Sequence, residues 1–256
     1  MDLQLKGKRV IISGGTRGIG RAIAETFAGE GCNVAICARN AADIETTVAG
    51  LQAKGVSAYG AAVDILDGAA FKNWIVQAGE QMGGADILVS NVGAMAIGPG
   101  KDAWEKNLKL DVFGLVNLVE AGLPLLKQAA AENGDAAIVA IGSTAGTAAT
   151  EPSAYGAIKG AIAHYIKGLA KQNILGRVRA NVVSPGMVYF EGGIWHKIQQ
   201  GSPEFYQTSL ARNPSGRMAT PQEVANAVVF LSSPCASYTT GINMIIDGAL
   251  TDRVNY

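Results

Sequence analysis

Tyr155 and Lys159 stand four residues apart, and Ser143 precedes the tyrosine by twelve. On a helix a Tyr-x3-Lys pair shares one face, so the ammonium can stabilise a developing tyrosinate. A serine hydroxyl beside them can donate to a carbonyl oxygen and polarise it. The trio suits proton exchange with a carbonyl or alcohol oxygen. Near the start of the chain, Gly14, Gly18 and Gly20 follow the apolar run RVIIS and precede an amphipathic stretch. Glycines between a strand and a helix let the backbone turn sharply and approach a pyrophosphate, which the helix N-terminus then stabilises. Neither signal is specific alone. A proton donor together with a dinucleotide bed is the equipment for hydride transfer.

The elements that must position these groups alternate along the chain. Strands are predicted at 9–13, 33–38, 57–63, 86–90, 136–141, 178–183 and 242–246, with helices over 19–29, 44–54, 104–131, 153–173 and 221–231. Thr220 can cap the last helix, and Pro221 fits its first turn. Alternating strands and helices predict a doubly wound parallel sheet flanked by helices on both faces, a Rossmann-like α/β fold. Continuous apolar strands agree, since such a sheet is covered on both sides. No repeat, low-complexity tract or linker divides the chain, so residues 1–256 read as one domain.

Residues 187–217 break the rhythm: about thirty residues with no strand signal, carrying Tyr189, Phe190, Trp195, Phe205 and Tyr206. Ligands of such sheets bind beyond the carboxyl ends of the strands. An insertion leaving a strand at Val183 is placed to cover the site, and long loops in compact domains are usually functional. The other reading is a surface excursion whose aromatics rest on the body or on a partner subunit.

Composition narrows the function classes. Basic and acidic residues number 21 each and the net charge is zero, which gives no electrostatic reason for nucleic acid or an anionic membrane as partner. Cys32, Cys37 and Cys235 show no paired spacing, which suggests free thiols in a reducing compartment. With only His164 and His196 present, no multi-histidine metal site is expected. The N-terminus lacks the pattern of a signal peptide, and no apolar run reaches membrane-spanning length. A cytoplasmic location is expected.

The second strand ends Ala38-Arg39-Asn40, without the carboxylate that usually holds a ribose 2′-hydroxyl in NAD-binding domains. Arg17 lies inside the glycine loop. Two guanidiniums near the adenosine ribose suit a 2′-phosphate, because arginine binds phosphate bidentately. The expected cofactor is NADP(H).

These residues resemble the short-chain dehydrogenase/reductase family along essentially the whole chain. Ser13-Gly14-Gly15-Thr16-Arg17-Gly18-Ile19-Gly20 is similar to its TGxxxGIG motif, with Ser for the usual Thr. Asp64, in Val63-Asp64-Ile65, looks like the aspartate that contacts adenine. Ser90-Asn91-Val92-Gly93 is similar to NNAG, and the run from Asn181 through Pro185 and Gly186 resembles NxxxPG beside the nicotinamide. Ser143, Tyr155 and Lys159 match the catalytic serine and YxxxK.

The resemblance implies cofactor contacts from Thr16, Ile19, Asp64, Ile65, Asn91 and Gly93, and from Pro185, Gly186 and Val188. It implies substrate contacts from Ser143, Ala145, Met95, Met187, Tyr189 and Trp195. It also implies a homotetramer, with the helices at 104–131 and 153–173 at one interface, the strand at 242–246 at another, and the tail 252–256 reaching a neighbour.

Three departures stand out. Asp111 aligns where a catalytic asparagine usually holds a relay water, largely through its backbone carbonyl. An aspartate there places a negative charge near Lys159. The Ser-to-Tyr interval is one residue short of the commonest spacing, which trims the loop 144–154. Tyr189 is taken to stand where a threonine often contacts the nicotinamide carboxamide.

The leading expectation is an NADPH-dependent reductase of a moderately hydrophobic ketone, given the aromatic segment and Ala94, Met95 and Ile97. A carrier-bound acyl substrate is disfavoured by the absence of an evident basic patch. An alcohol dehydrogenase working oxidatively and a non-catalytic NADPH-binding protein are the alternatives. Cys32, Cys37 and His164 are read as packing residues, Asp86 as a hydrogen-bonding group at a strand entrance, and Trp104 as core or interface.

Overall fold

The computed structural model describes residues 1–149 and 151–254. Seven strands form one sheet: β1 (Arg9–Ser13), β2 (Asn33–Ala38), β3 (Ala58–Ala62), β4 (Ile87–Ser90), β5 (Ala136–Ile141), β6 (Val178–Pro185) and β7 (Asn243–Ile246). Their order is β3-β2-β1-β4-β5-β6-β7, with every pairing parallel. The chain winds outward from β1 in one direction and then, from β4, in the other. A crevice therefore opens between β1 and β4 at their carboxyl ends.

Alternate side chains along each strand feed opposite faces. Ile11, Ala35 and Leu88 join one core with Phe71, Leu115, Ile158 and Ile162. Val10, Ile12, Val34, Ile36 and Val89 join the other with Ile23, Phe27, Val224 and Val228. The first core is covered by α3 (Gly68–Met82), α5 (Phe113–Asn133) and α6 (Ala154–Asn173), the second by α1 (Gly18–Gly29) and α9 (Pro221–Ser232). Every residue of β4, β5 and β6 is buried; β5 is an unbroken apolar run, whereas β6 buries Arg179, Asn181 and Ser184 among its apolar residues. The doubly wound α/β fold is as expected.

Boundaries shift by a few residues, and α2 (Ala41–Gln52) starts earlier than predicted because Asn40 caps it, accepting from the Ala42 and Asp43 N–H groups. α9 begins with a capping box between Thr220 and Glu223. There Arg217 and the Thr220 backbone hold the Glu223 carboxyl down to about 2. Two differences bear on function. The helix predicted over 104–131 is interrupted: α4 (Lys101–Asn107) passes through a π-helical turn, Leu108–Val112, before α5. The segment 187–217 holds two short helices, α7 (Ile194–Gly201) and α8 (Pro203–Ala211).

Asp86 is 2% exposed at the entrance to β4. Its carboxylate accepts from the Arg9 backbone N–H (2.9 Å), Arg9 Nε (2.7 Å) and Asn133 Nδ2 (3.1 Å). Burial pushes this carboxyl up, but the Arg9 hydrogen bonds and charge, helped by Lys8, outweigh it and leave it below the ordinary range. Cys32 and Cys37 are buried, whereas His164 faces outward rather than packing. Among the described residues no helix is long and apolar enough to cross a membrane. Of the tail 252–256, Asn255 and Tyr256 lie outside the described residues, as does Thr150 in the loop 144–154.

Candidate active site

A cleft of about 1150 Å³ runs along the carboxyl ends of the strands. At one end the β1–α1 loop turns through Gly14 at φ +74° and Gly18 at φ +53°, a region that glycine adopts without the penalty of a side chain. A Cβ on Gly20 would lie 1.9 Å from the Gly14 carbonyl oxygen, so only glycine lets α1 start this close to the loop. Asn91 Nδ2 donates to the Ser13 and Gly14 carbonyls at 3.2 and 2.8 Å, and the Asn91 N–H donates to Ser13 Oγ. Asn91 thus braces the glycine loop against β4. No side chain caps the first turn of α1, leaving backbone N–H groups for an anion at the cleft. This bed fits a dinucleotide pyrophosphate.

Beyond the loop, Arg17, Arg39, Asp64 and Ile65 line the same wall. Both arginines are exposed and, among the described residues, neither forms an ion pair. Cys37 also reaches the wall, and burial pushes its thiol up to about 12, only partly offset by the Gly14 backbone.

At the centre, β5 delivers Ser143 and α6 delivers Tyr155 and Lys159, all lining the cleft. Ser153 caps α6 by accepting from the Gly156 N–H, which sets the start of the helix one residue before the tyrosine. Lys159 is 5% exposed. Its Nζ donates to the Ile141 carbonyl at 2.9 Å and lies 5.7 Å from the centre of the Tyr155 ring. It also lies 3.0 Å from Asp111 Oδ1. The other carboxylate oxygen, Asp111 Oδ2, accepts from the Ala94 N–H at 2.7 Å. Asp111 sits in the π turn, 1% exposed, behind Gly93 rather than on the cleft wall.

At the far end Pro185, Gly186, Met187 and Val188 lead into the aromatic segment. A parallel bridge pins it: the Tyr189 N–H donates to Ala219 O and the Ala219 N–H to Met187 O, both at 2.9 Å. Trp195 and Phe205 stack at 6.3 Å and, with Phe190, Ile194 and Ile198, form one wall opposite Met95 and Ile97. Ala145 and Met95 line the cleft.

Tyr189 does not. Its hydroxyl donates to Gln199 Oε1 at 2.6 Å and its ring meets His196 and Tyr206 edge-on, within the α7–α8 pair. Phe190 takes the cleft position instead, because successive residues of an extended chain face opposite ways. Gly18 is likewise off the wall, beneath the Phe190 ring. Ile194, Ile198 and the Ile141 carbonyl are among the site groups that sequence reasoning missed, and Phe190 was read only as part of the covering segment. The alternation of an extended chain after Pro185 was the one available hint for Phe190.

A family model described as enoyl-(acyl carrier protein) reductase matches residues 14–251. The chain belongs to the short-chain dehydrogenase/reductase family. An isoepoxydon dehydrogenase of Penicillium expansum is 34% identical over 96% of this chain and 95% of that protein. L-Sorbose reductase from Gluconobacter frateurii, solved with NADPH and L-sorbose, superposes with a TM-score of 0.88 at 28% identity, covering 99% of this chain and all of that one. A 7α-hydroxysteroid dehydrogenase solved with NADH and a 7-oxo bile acid gives 0.88 at 28%, covering 99% and 98%. This short-chain dehydrogenase/reductase is an oxidoreductase, and its solved relatives use either nicotinamide dinucleotide.

Proposed function

We propose that this protein is an NADPH-dependent reductase converting a moderately hydrophobic ketone to the secondary alcohol, reversibly. The observation that carries the reading is the convergence of Ser143, Tyr155 and Lys159 on the cleft that begins at the Gly14–Gly20 loop. When bound, the dinucleotide supplies the hydride to the carbonyl carbon or takes it back. The chain's own residues do the rest. Ser143 donates to the substrate oxygen and polarises the carbonyl. Tyr155 gives that oxygen its phenolic proton, which solvent restores, and Lys159 steadies the tyrosinate between the two events. The carbon thus gains a hydride and the oxygen a proton, which balances the alcohol.

Arg17 and Arg39, both exposed and both lining the cleft, support NADPH over NADH, since a 2′-phosphate offers both guanidiniums a dianion. Met95, Ile97, Trp195 and Phe205 make the substrate end apolar, which supports a hydrophobic carbonyl compound. Trp104, Leu108 and Phe113 are 44%, 40% and 50% exposed on one continuous helical stretch, and such a patch supports assembly into a homo-oligomer, a tetramer by family expectation. Three free thiols suit the cytoplasm.

The test is the decay of nicotinamide absorbance with NADPH over a panel of ketones and 3-oxoacyl thioesters, run beside Tyr155→Phe. Turnover lost in the variant, with NADPH still bound, supports the reading. Turnover retained by the variant overturns the assignment of Tyr155.

A further inference from the structure

The Asp111 carboxylate is buried, charged, and absent from the proton-transfer scheme above. Its two oxygens have different duties. Oδ2 accepts the Ala94 N–H at 2.7 Å and so fixes the loop after β4. Oδ1 accepts no hydrogen bond and faces Lys159 Nζ at 3.0 Å. The second contact is an ion pair, formed by an ammonium that also donates one of its three protons to the Ile141 carbonyl. A neutral amide at position 111 would serve Ala94 equally well. What the carboxylate adds is a full negative charge against the Lys159 ammonium beside Tyr155.

We infer that Asp111 is a positioning residue that compensates the charge of Lys159 and so weakens the field with which that ammonium favours the Tyr155 phenolate. Lys159 and Asp111 are 5% and 0% exposed in their side chains, so water screens the pair poorly and the carboxylate cancels much of the field the ammonium casts on the phenol. Other charges on the packed elements face elsewhere. Lys101, Asp102, Glu105, Lys106 and Lys109 are exposed, and Arg179 on β6 is engaged by Asp135 at 2.7 Å. Glu151, exposed in the loop before α6, reaches the rim of the cleft. The inference rests on the reductase reading for the proton transfer it tunes, but not for its electrostatics.

Asp111→Asn isolates the charge. Tyrosinate absorbance is titrated in wild type and in Asp111→Asn, each against the same chain carrying Tyr155→Phe, so that one tyrosine of seven is read. The variant should ionise Tyr155 about one pH unit lower. The rising limb of alcohol oxidation and the falling limb of ketone reduction should move down with it, while Asp111→Glu should follow wild type. Asp111→Ser replaces the amide variant if that one does not fold. A purely structural role would lower kcat at every pH without moving either limb. Titration curves that coincide, or that move upward in the neutral variant, overturn the inference. A downward shift of the titration in a protein that turns over no carbonyl compound or alcohol would uphold the electrostatics and overturn the reductase reading instead.

Discussion

The ring of Phe190 lies on the backbone of Gly18: a Cβ built on that glycine would fall 2.5 Å from the ring's Cζ. The aromatic segment and the pyrophosphate bed are thereby in contact across the cleft, and a change in one reaches the other. Gly18→Ala should weaken cofactor binding and lower stability by about 1–2 kcal/mol, through its φ of +53° and the displaced ring. Phe190→Ala leaves the backbone unstrained. It should raise KM for cofactor and carbonyl substrate together, by about tenfold, as the apolar wall opens. Steady-state kinetics with either substrate varied would show this, and a KM effect on one alone would contradict it.

Removing the phenolic hydroxyl with Tyr155→Phe should cut turnover by at least about a thousandfold while changing the NADPH dissociation constant little. Fluorescence titration of bound NADPH beside the rate assay separates binding from proton transfer.

Arg39→Asp should reverse the charge offered to the adenosine ribose. The expected outcome is a loss of NADPH affinity of about tenfold to a hundredfold, with NADH unchanged or improved. Dissociation constants for both cofactors decide it, and an unaltered preference would remove Arg39 from the cofactor site.

Asp86 links stability to pH. Its folded state favours the charged carboxylate, so its contribution is complete above the unfolded titration near about pH 4 and is lost as pH falls through the lower folded value. Asp86→Asn should therefore cost about 2–4 kcal/mol at neutral pH, with the gap to wild type closing in acid. Urea unfolding across that range measures it; a gap independent of pH would show that packing, not charge, is responsible.

Burial holds the thiols of Cys32 and Cys37 up at about 12, and only Cys235 of the three is exposed. A thiol reagent at pH 8 should modify one cysteine per native chain and three after denaturation, counted by mass. Rapid modification of Cys32 or Cys37 in the native protein would mean that β2 opens readily.

The doubly wound sheet, its single-domain extent and the strand–loop–helix at Gly14 were legible in the sequence because each rests on local regularities. Continuous apolar strands, glycine where φ is positive, and helix caps such as Thr220 all act within a few residues. The Tyr155–Lys159 pair was legible for the same reason, since helical spacing alone puts them on one face. Three features were decided only by tertiary structure. The neighbours of Asp111 come from the loop after β4 and from α6; the family resemblance placed its charge near Lys159, but which oxygen serves Ala94 and which faces the ammonium is announced by no spacing along the chain. The π turn at 108–112, which packs on α6, is a local departure from an otherwise regular helix. The choice between Tyr189 and Phe190 hangs on one residue of register after Pro185. That register is held by the bridge from Val188 to Ala219, a contact between segments some thirty residues apart that no local pattern encodes.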